Sequence, residues 1–275
     1  MSGSKTSNNS MKQILTTLAD SWRIYRRHFT VLALLALAWA IPMGLVSACF
    51  PALQGGAFSH PHAKPELMPF VWLFLAFLWQ VVPLAALLTF ILRRDDPTHG
   101  LSQAWSAGFR NWWRMIWTGV AMFLIILAFA LCAGILLSIT VGIVASVMGT
   151  GKTPPPVTAM IILFGLVIGL PVLYFSIRTY FSGIIVMAEG EWGFRALWRS
   201  VKLTRRCFWL IFFFVLICNG IPAVLMNVAT RFLAPLYVNH GWLVLVVTMV
   251  FSVIWAFLII AKVRFFEVLK ARAVE

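Results

Sequence analysis

The stretch FRALWRSVKLTRRCFWLIF, residues 194–212, runs from a basic, helix-patterned segment straight into an apolar one, and the chain writes it more than once. LADSWRIYRRHFTVL at 18–32 and LSQAWSAGFRNWWRMIW at 101–117 are its echoes. Shifts of 83 and 96 residues superpose Leu18, Leu101 and Leu197, and likewise Trp22, Trp105 and Val201. They also bring together Arg27, Arg110 and Arg206, then Phe29, Trp112 and Phe208. In the first copy Met11, Ile14, Leu15, Leu18, Trp22, Tyr25 and Phe29 recur at helical spacing, with Lys12, Arg23, Arg26 and Arg27 elsewhere around the helix. That pattern predicts an amphipathic helix lying on a membrane surface. In the other two copies acids lead (Asp95, Asp96; Glu189, Glu191) and bases follow (Arg110, Arg114; Arg205, Arg206), as a helix dipole favours.

Each copy enters an apolar run. Of the 275 residues 61% are hydrophobic and 11% charged, with mean hydropathy +0.93, which is too apolar for an ordinary water-soluble domain. Six nearly uncharged runs, at about 30–50, 70–92, 115–148, 157–177, 208–230 and 242–261, are each long enough to cross the hydrocarbon core as helix. Barrel strands would alternate polar and apolar residues over short segments. The expected class is therefore all-α, a polytopic membrane protein with six transmembrane helices and interfacial amphipathic helices. The polar start MSGSKTSNNS, 1–10, reads as a disordered cytoplasmic tail and not as a cleaved signal peptide. Cys49, Cys132, Cys207 and Cys218 show no CxxC spacing and read as packing residues.

The net charge of +14 is divided by side. Eighteen Lys and Arg residues flank the first, third and fifth runs on their leading side or follow the second and sixth, against Lys64, Lys152 and Arg231 on the opposite side; Arg178 ends the fourth run. By the positive-inside rule both termini are expected in the cytoplasm, with the basic surface meeting anionic phospholipid. No single face gathers the charges, so nucleic acid is not expected as a partner. Arg27, Arg110, Arg178 and Arg206 are the expected headgroup contacts.

The copies define repeat units at about 11–94, 97–178 and 192–275 within one membrane domain, each a surface helix plus two spans. Every even-numbered span finishes on a base: Arg94, Arg178, Lys262. Arg27 to Arg94 is 67 residues, Arg110 to Arg178 is 68 and Arg206 to Lys262 is 56. A unit that crosses twice returns to its starting side, so the units are expected to be parallel, unlike the inverted repeats of many transporters. TYFSGIIVMAEGEWG, after Arg178, reads as an insertion extending the fourth helix along the inner surface.

Small residues at steps of four mark expected packing faces: Ala130, Gly134, Ser138, Gly142 and Ser146 in the third span, Ala36, Ala40, Gly44 and Ala48 in the first, Gly165 and Gly169 in the fourth. Pro171 is expected to kink the fourth span. Trp112, Trp113, Tyr180, Trp209 and Trp242 fit interfacial belts.

All eight acids lie outside the spans, whereas proton relays and cation pathways ordinarily use intramembrane carboxylates or histidines. Gln80, Asn219, Asn227 and Arg231 form a possible polar face, read either as interhelical hydrogen bonding or as a polar or headgroup site. His60, His62 and Glu66 lack the spacing and fourth ligand of a metal site, and Asp95-Asp96-Pro97 reads as a helix start. Without a Walker A loop, GxSxG or HExxH, no catalytic residue, cofactor or metal is expected.

VMAEGEWGFRALWRSVKLTRRCFWLIF resembles the acidic-residue, then ALxRSxxLTxxxFW, signature of a bacterial inner-membrane family. That family comprises the YciC-like proteins and the membrane domain of some glycerophosphodiester phosphodiesterases. LVIGLPVLYFSIR is similar to its Gly/Pro-containing fourth span. The resemblance covers residues 165–215, and Arg206-Cys207 depart from it where a small residue or glycine precedes the Phe. It implies a polytopic helical inner-membrane protein sometimes adjoining phospholipid metabolism, and no hydrolytic activity, since the phosphodiesterase domain is missing from the sequence. The leading expectation is a non-enzymatic protein organising lipids or a protein partner. A passive or lipid-type transporter is the alternative, and an integral lipid-modifying enzyme the third reading.

Overall fold

The computed structural model describes residues 3–49, 67–96, 100–148, 157–205, 207–239 and 242–274. Their regular structure is helical throughout: α1 Gly3–Arg27, α2 Phe29–Cys49, α3 Leu67–Leu92, α4 Leu101–Met148, α5 Val157–Arg178, α6 Ser182–Glu189, α7 Phe194–Thr204, α8 Phe208–Val215, α9 Ile221–Asn239 and α10 Trp242–Val274. A π turn, Leu216–Gly220, joins α8 to α9. It precedes Pro222, which has no N–H to give to an α-helical turn, and a widened turn is one way a helix absorbs that loss. Five helical segments are long and apolar enough to cross a membrane, or up to six if α1 and α2, bent by 92°, make one broken span.

The helices close into a ring. α2 packs on α3, α3 on α4, α4 on α5 and α5 on α8; α9 meets α10, and α10 returns to α2 with α1 laid against it. The dense packing sits at one end. Leu32 and Leu35 of α2, Leu87 and Ile91 of α3, Ala104 of α4, Ile177 of α5, Ile211 and Phe214 of α8, and Ile260 and Phe265 of α10 are all buried. Each lies near a basic segment, so this is the basic end. Away from it Phe74 and Phe77 of α3, Leu136 and Ile139 of α4, Leu166 and Leu170 of α5, and Val224 and Leu225 of α9 are exposed.

The insertion after Arg178 is not the surface extension that its position suggests. Thr179–Phe181 form a turn and α6 enters the bundle, packing on α3, α4 and α7 with Ile184, Ile185 and Val186 buried. Its composition explains this, because an apolar Ile-Ile-Val run fills space among converging helices better than it covers a polar surface. Phe181 stacks on Phe265 at 6.2 Å, and Phe265 on Phe214 at 4.1 Å with planes 3° apart. Such pairs contribute about 1 kcal/mol beyond the area they bury.

The repeated phrase takes two forms. In the first copy the helix breaks at His28 and turns into α2. The third copy also breaks, α7 ending at Thr204 and α8 starting after Cys207, whose φ of −124° is not helical. The second does not break: α4 is continuous over 48 residues, so no separate surface helix precedes the third span. The reason lies in Gly108. A Cβ there would sit 2.8 Å from the Val82 carbonyl oxygen and 3.1 Å from Ala86, which means α4 is pressed onto the α3 backbone where a bend would have to occur.

Two smaller expectations also change, the second, on the small-residue stripes, only in part. The 1–10 segment is helical from Gly3, since extending the helix nucleated by 11–27 needs no second nucleus. Pro171 lies inside α5, which runs unbroken to Arg178. Of the small-residue stripes, that of α2 does pack, with Ala36 and Ala40 fully buried. Those of α4 and α5 do not: among the described residues a Cβ added to Gly134, Gly165 or Gly169 would meet nothing within 4 Å, and Ser138 is exposed, its hydroxyl donating to its own helix at Gly134 O. The α4 and α5 stripes lie in the part of the ring where helices do not converge. Gly44 does face a neighbour, with Leu245 atoms 3.4 Å from its added Cβ. The side chains of Gly142 and Ser146 lie outside the described residues.

Candidate functional site

The polar residues gather at the basic end. Arg94 closes α3 with a two-toothed bond to Glu267 of α10 (Nη1 to Oε1 2.9 Å, Nη2 to Oε2 3.2 Å) and a third bond to Ile91 O at 3.0 Å. Arg264 joins the same carboxylate and reaches Asp20 of α1 at 3.9 Å. Glu189, at the end of α6, accepts Lys270 Nζ at 2.8 Å and Arg199 Nε at 3.3 Å. These pairs tie α1, α3, α6 and α7 to α10. Arg94 and Glu189 are largely buried, while Arg199 and Lys270 keep about half their area in solvent, so the outer partners fix orientation more than they stabilise.

Arg94, Arg178 and Lys262 are held in three ways. Arg94 has its carboxylate. Arg178 donates to Tyr174 Oη from Nε (3.1 Å) and Nη2 (2.8 Å), and its guanidinium covers the Tyr174 and Phe208 rings at 5.0 and 5.4 Å. Its Nη1 is buried without a hydrogen-bond partner among the described residues. Lys262 Nζ stands 3.8 Å over the Tyr180 ring. Cation–π contact serves a base where no acid is near.

α7 is the most amphipathic element of the site. Ala196, Leu197, Ser200 and Thr204 are buried, and the last two hydroxyls both donate to Arg178 O, at 2.8 and 3.3 Å. Those bonds cap the end of α5, whose last carbonyls have no intrahelical donor. Outward, Phe194 and Trp198 form an exposed aromatic line at i, i+4 beside Arg195, Arg199 and Lys202. The helix is led in through Gly190 (φ 73°) and Gly193 (φ 60°), both left-handed positions that only glycine occupies without strain. Gly193 N–H donates to Thr118 Oγ1 of α4 at 2.9 Å.

Two adjoining clefts result. One, of about 420 Å³, lies between α4 and the 192–195 segment, walled by Trp117, Val120, Leu124, Trp192, Phe194 and Arg195. The other, about 360 Å³, is lined by Glu189, Glu191, Arg195, Trp198, Arg199 and Lys202. Arg195 borders both. A third cavity, about 350 Å³, opens at the π turn among Trp39, Asn219, Met226, Thr248, Ser252 and Trp255, with Trp39 stacked on Trp255 at 4.3 Å.

Of the polar residues singled out in the spans, Asn219 borders this third cavity and donates to Tyr180 Oη at 3.4 Å. Gln80, Asn227 and Arg231 are not among its walls. Arg27 and Arg110 are exposed, while Arg178 is turned onto aromatic rings. Arg206, and His60, His62 and Glu66, lie outside the described residues. The described cysteines Cys132, Cys207 and Cys218 are free thiols.

Sequence reading missed Glu267, Thr118, Ser200 and Thr204, whose partners are distant in the chain. Ser200 and Thr204, hydroxyls at i, i+4 on the face opposite the bases, carried the one readable signal. No family model matches the chain, and no curated protein or solved structure is significantly similar to it.

Proposed function

We propose that this is a six-span protein of the bacterial inner membrane, both termini cytoplasmic, that organises anionic phospholipid or a protein partner at its basic end without catalysing a reaction. The YciC-like resemblance belongs to the same proposal. One observation carries it: α7 presents Phe194 and Trp198 beside Arg195, Arg199 and Lys202, an arrangement suited to the boundary between acyl chains and anionic headgroups. The carboxylates of Asp20, Glu189 and Glu267 are engaged by bases and serve assembly.

Gentle extraction followed by native-lipid mass spectrometry tests the reading. Anionic phospholipid retained above its share of the membrane supports it; lipid retained only in proportion to the membrane, with no protein partner, overturns it. The cavity beside Asn219 favours a second reading, a passive or lipid-type transporter. Reconstituted vesicles that move neither lipid nor solute would remove it.

A further inference from the structure

We propose that the cleft between α4 and the 192–195 segment is a phospholipid site. It holds one acyl chain of an anionic glycerophospholipid along α4 and the phosphate at Arg195. This rests on the reading that the basic end meets anionic lipid, and adds to it a place and a stoichiometric ligand.

The walls fit an acyl chain. Trp117, Val120 and Leu124 follow one another at helical spacing on α4, and Leu127 and Leu131 continue the line as exposed apolar residues. A chain can therefore enter sideways along an uninterrupted apolar track. Across from them stand Trp192 and Phe194. The Gly193 N–H bond to Thr118 holds that wall at a fixed distance, so the cleft exists before any ligand arrives. At about 420 Å³ it lies within the range of small-molecule sites.

The polar end selects charge. Arg195 borders both the apolar cleft and the polar one, where Lys202 and Arg199 join it. Glu189 is already bound by Lys270 and Arg199. Among the described residues neither Arg195 nor Lys202 has a carboxylate partner, which leaves two bases against Glu191. A phosphate diester suits the planar fork of an arginine. A zwitterionic headgroup would bring its own cation toward these bases and bind less well.

The test uses the full chain in phosphatidylcholine vesicles containing some phosphatidylglycerol with a photoreactive acyl chain, the adducts being mapped by mass spectrometry. Labelling is expected on the peptides carrying 117–124 and 192–194. Arg195→Gln should reduce it about fivefold, the loss of one base near a headgroup. Val120→Trp, at an exposed position, should fill the cleft and abolish that labelling, with the thermal unfolding profile confirming that both variants fold. Cleft labelling unchanged in both folded variants, or equal with a phosphatidylcholine probe, overturns the site. Anionic labelling confined to the surfaces near Arg27 and Arg110 overturns the site alone, whereas no anionic preference anywhere overturns the underlying reading as well.

Discussion

The first and second copies of the repeated phrase start alike and end differently. LADSWRIYRRHF breaks at His28, and the chain turns 92° into α2; LSQAWSAGFRNWW passes Asn111, the aligned position, without a break. Local sequence does not separate them, since neither position holds proline or glycine. What separates them is the neighbour. Tyr25 Oη in the first copy donates to Val253 O of α10 at 3.1 Å, anchoring α1 flat against that helix. Gly108 in the second lies against the backbone of α3 and keeps α4 straight. A repeat thus specifies which segments can bend, and tertiary contact decides which of them do.

The largest effect should come from removing the cause of straightness. Gly108→Leu forces a side chain into the Val82 carbonyl and should cost about 3 kcal/mol, read as thermal unfolding in detergent. Stability equal to the parent chain would break the comparison. Next, Ser200→Ala with Thr204→Val removes both hydroxyl bonds to Arg178 O in the bent third copy. About 1 kcal/mol per bond is expected, seen as faster hydrogen exchange across 194–204 and unchanged exchange in 101–117. Equal acceleration in both segments would mean the copies are not held independently.

The smallest effect concerns the corner residue. His28 packs edge-on to Phe90 at 5.5 Å, and burial, reinforced by the positive Arg27 and Arg94 and opposed by Asp95, lowers its pKa. The fold therefore favours neutral imidazole. That contribution is complete above the ordinary pKa, about 6.5, and is lost as pH falls through the lowered folded value. Acidification should speed hydrogen exchange near 24–32 while leaving 101–117 unchanged, and His28→Gln should flatten the response.

The helical class and the basic end were legible because both rest on runs of like residues, which local composition displays. α6 was not, because a short apolar segment after a span reads equally as surface or core until the space among α3, α4 and α7 is known. The site was legible by half: α7 shows its bases in sequence, but its clefts depend on Thr118, Trp117 and Trp192. Those residues acquire meaning only through a fold that brings α4 beside Gly193.

At a rise of about 1.5 Å per residue the unbroken α4 is a rod of roughly 72 Å, more than twice the ~30 Å of a hydrocarbon core. An upright rod of that length must stand well clear of the apolar slab, and one that leans converts a small rotation into a long sweep. Pivoted at one end, a lean of about 10° carries the other some 12 Å sideways. Mechanically, the two bent copies of the phrase resemble elbows and the unbroken α4 a mast, and any force applied at the mast's tip is delivered with leverage to its foot.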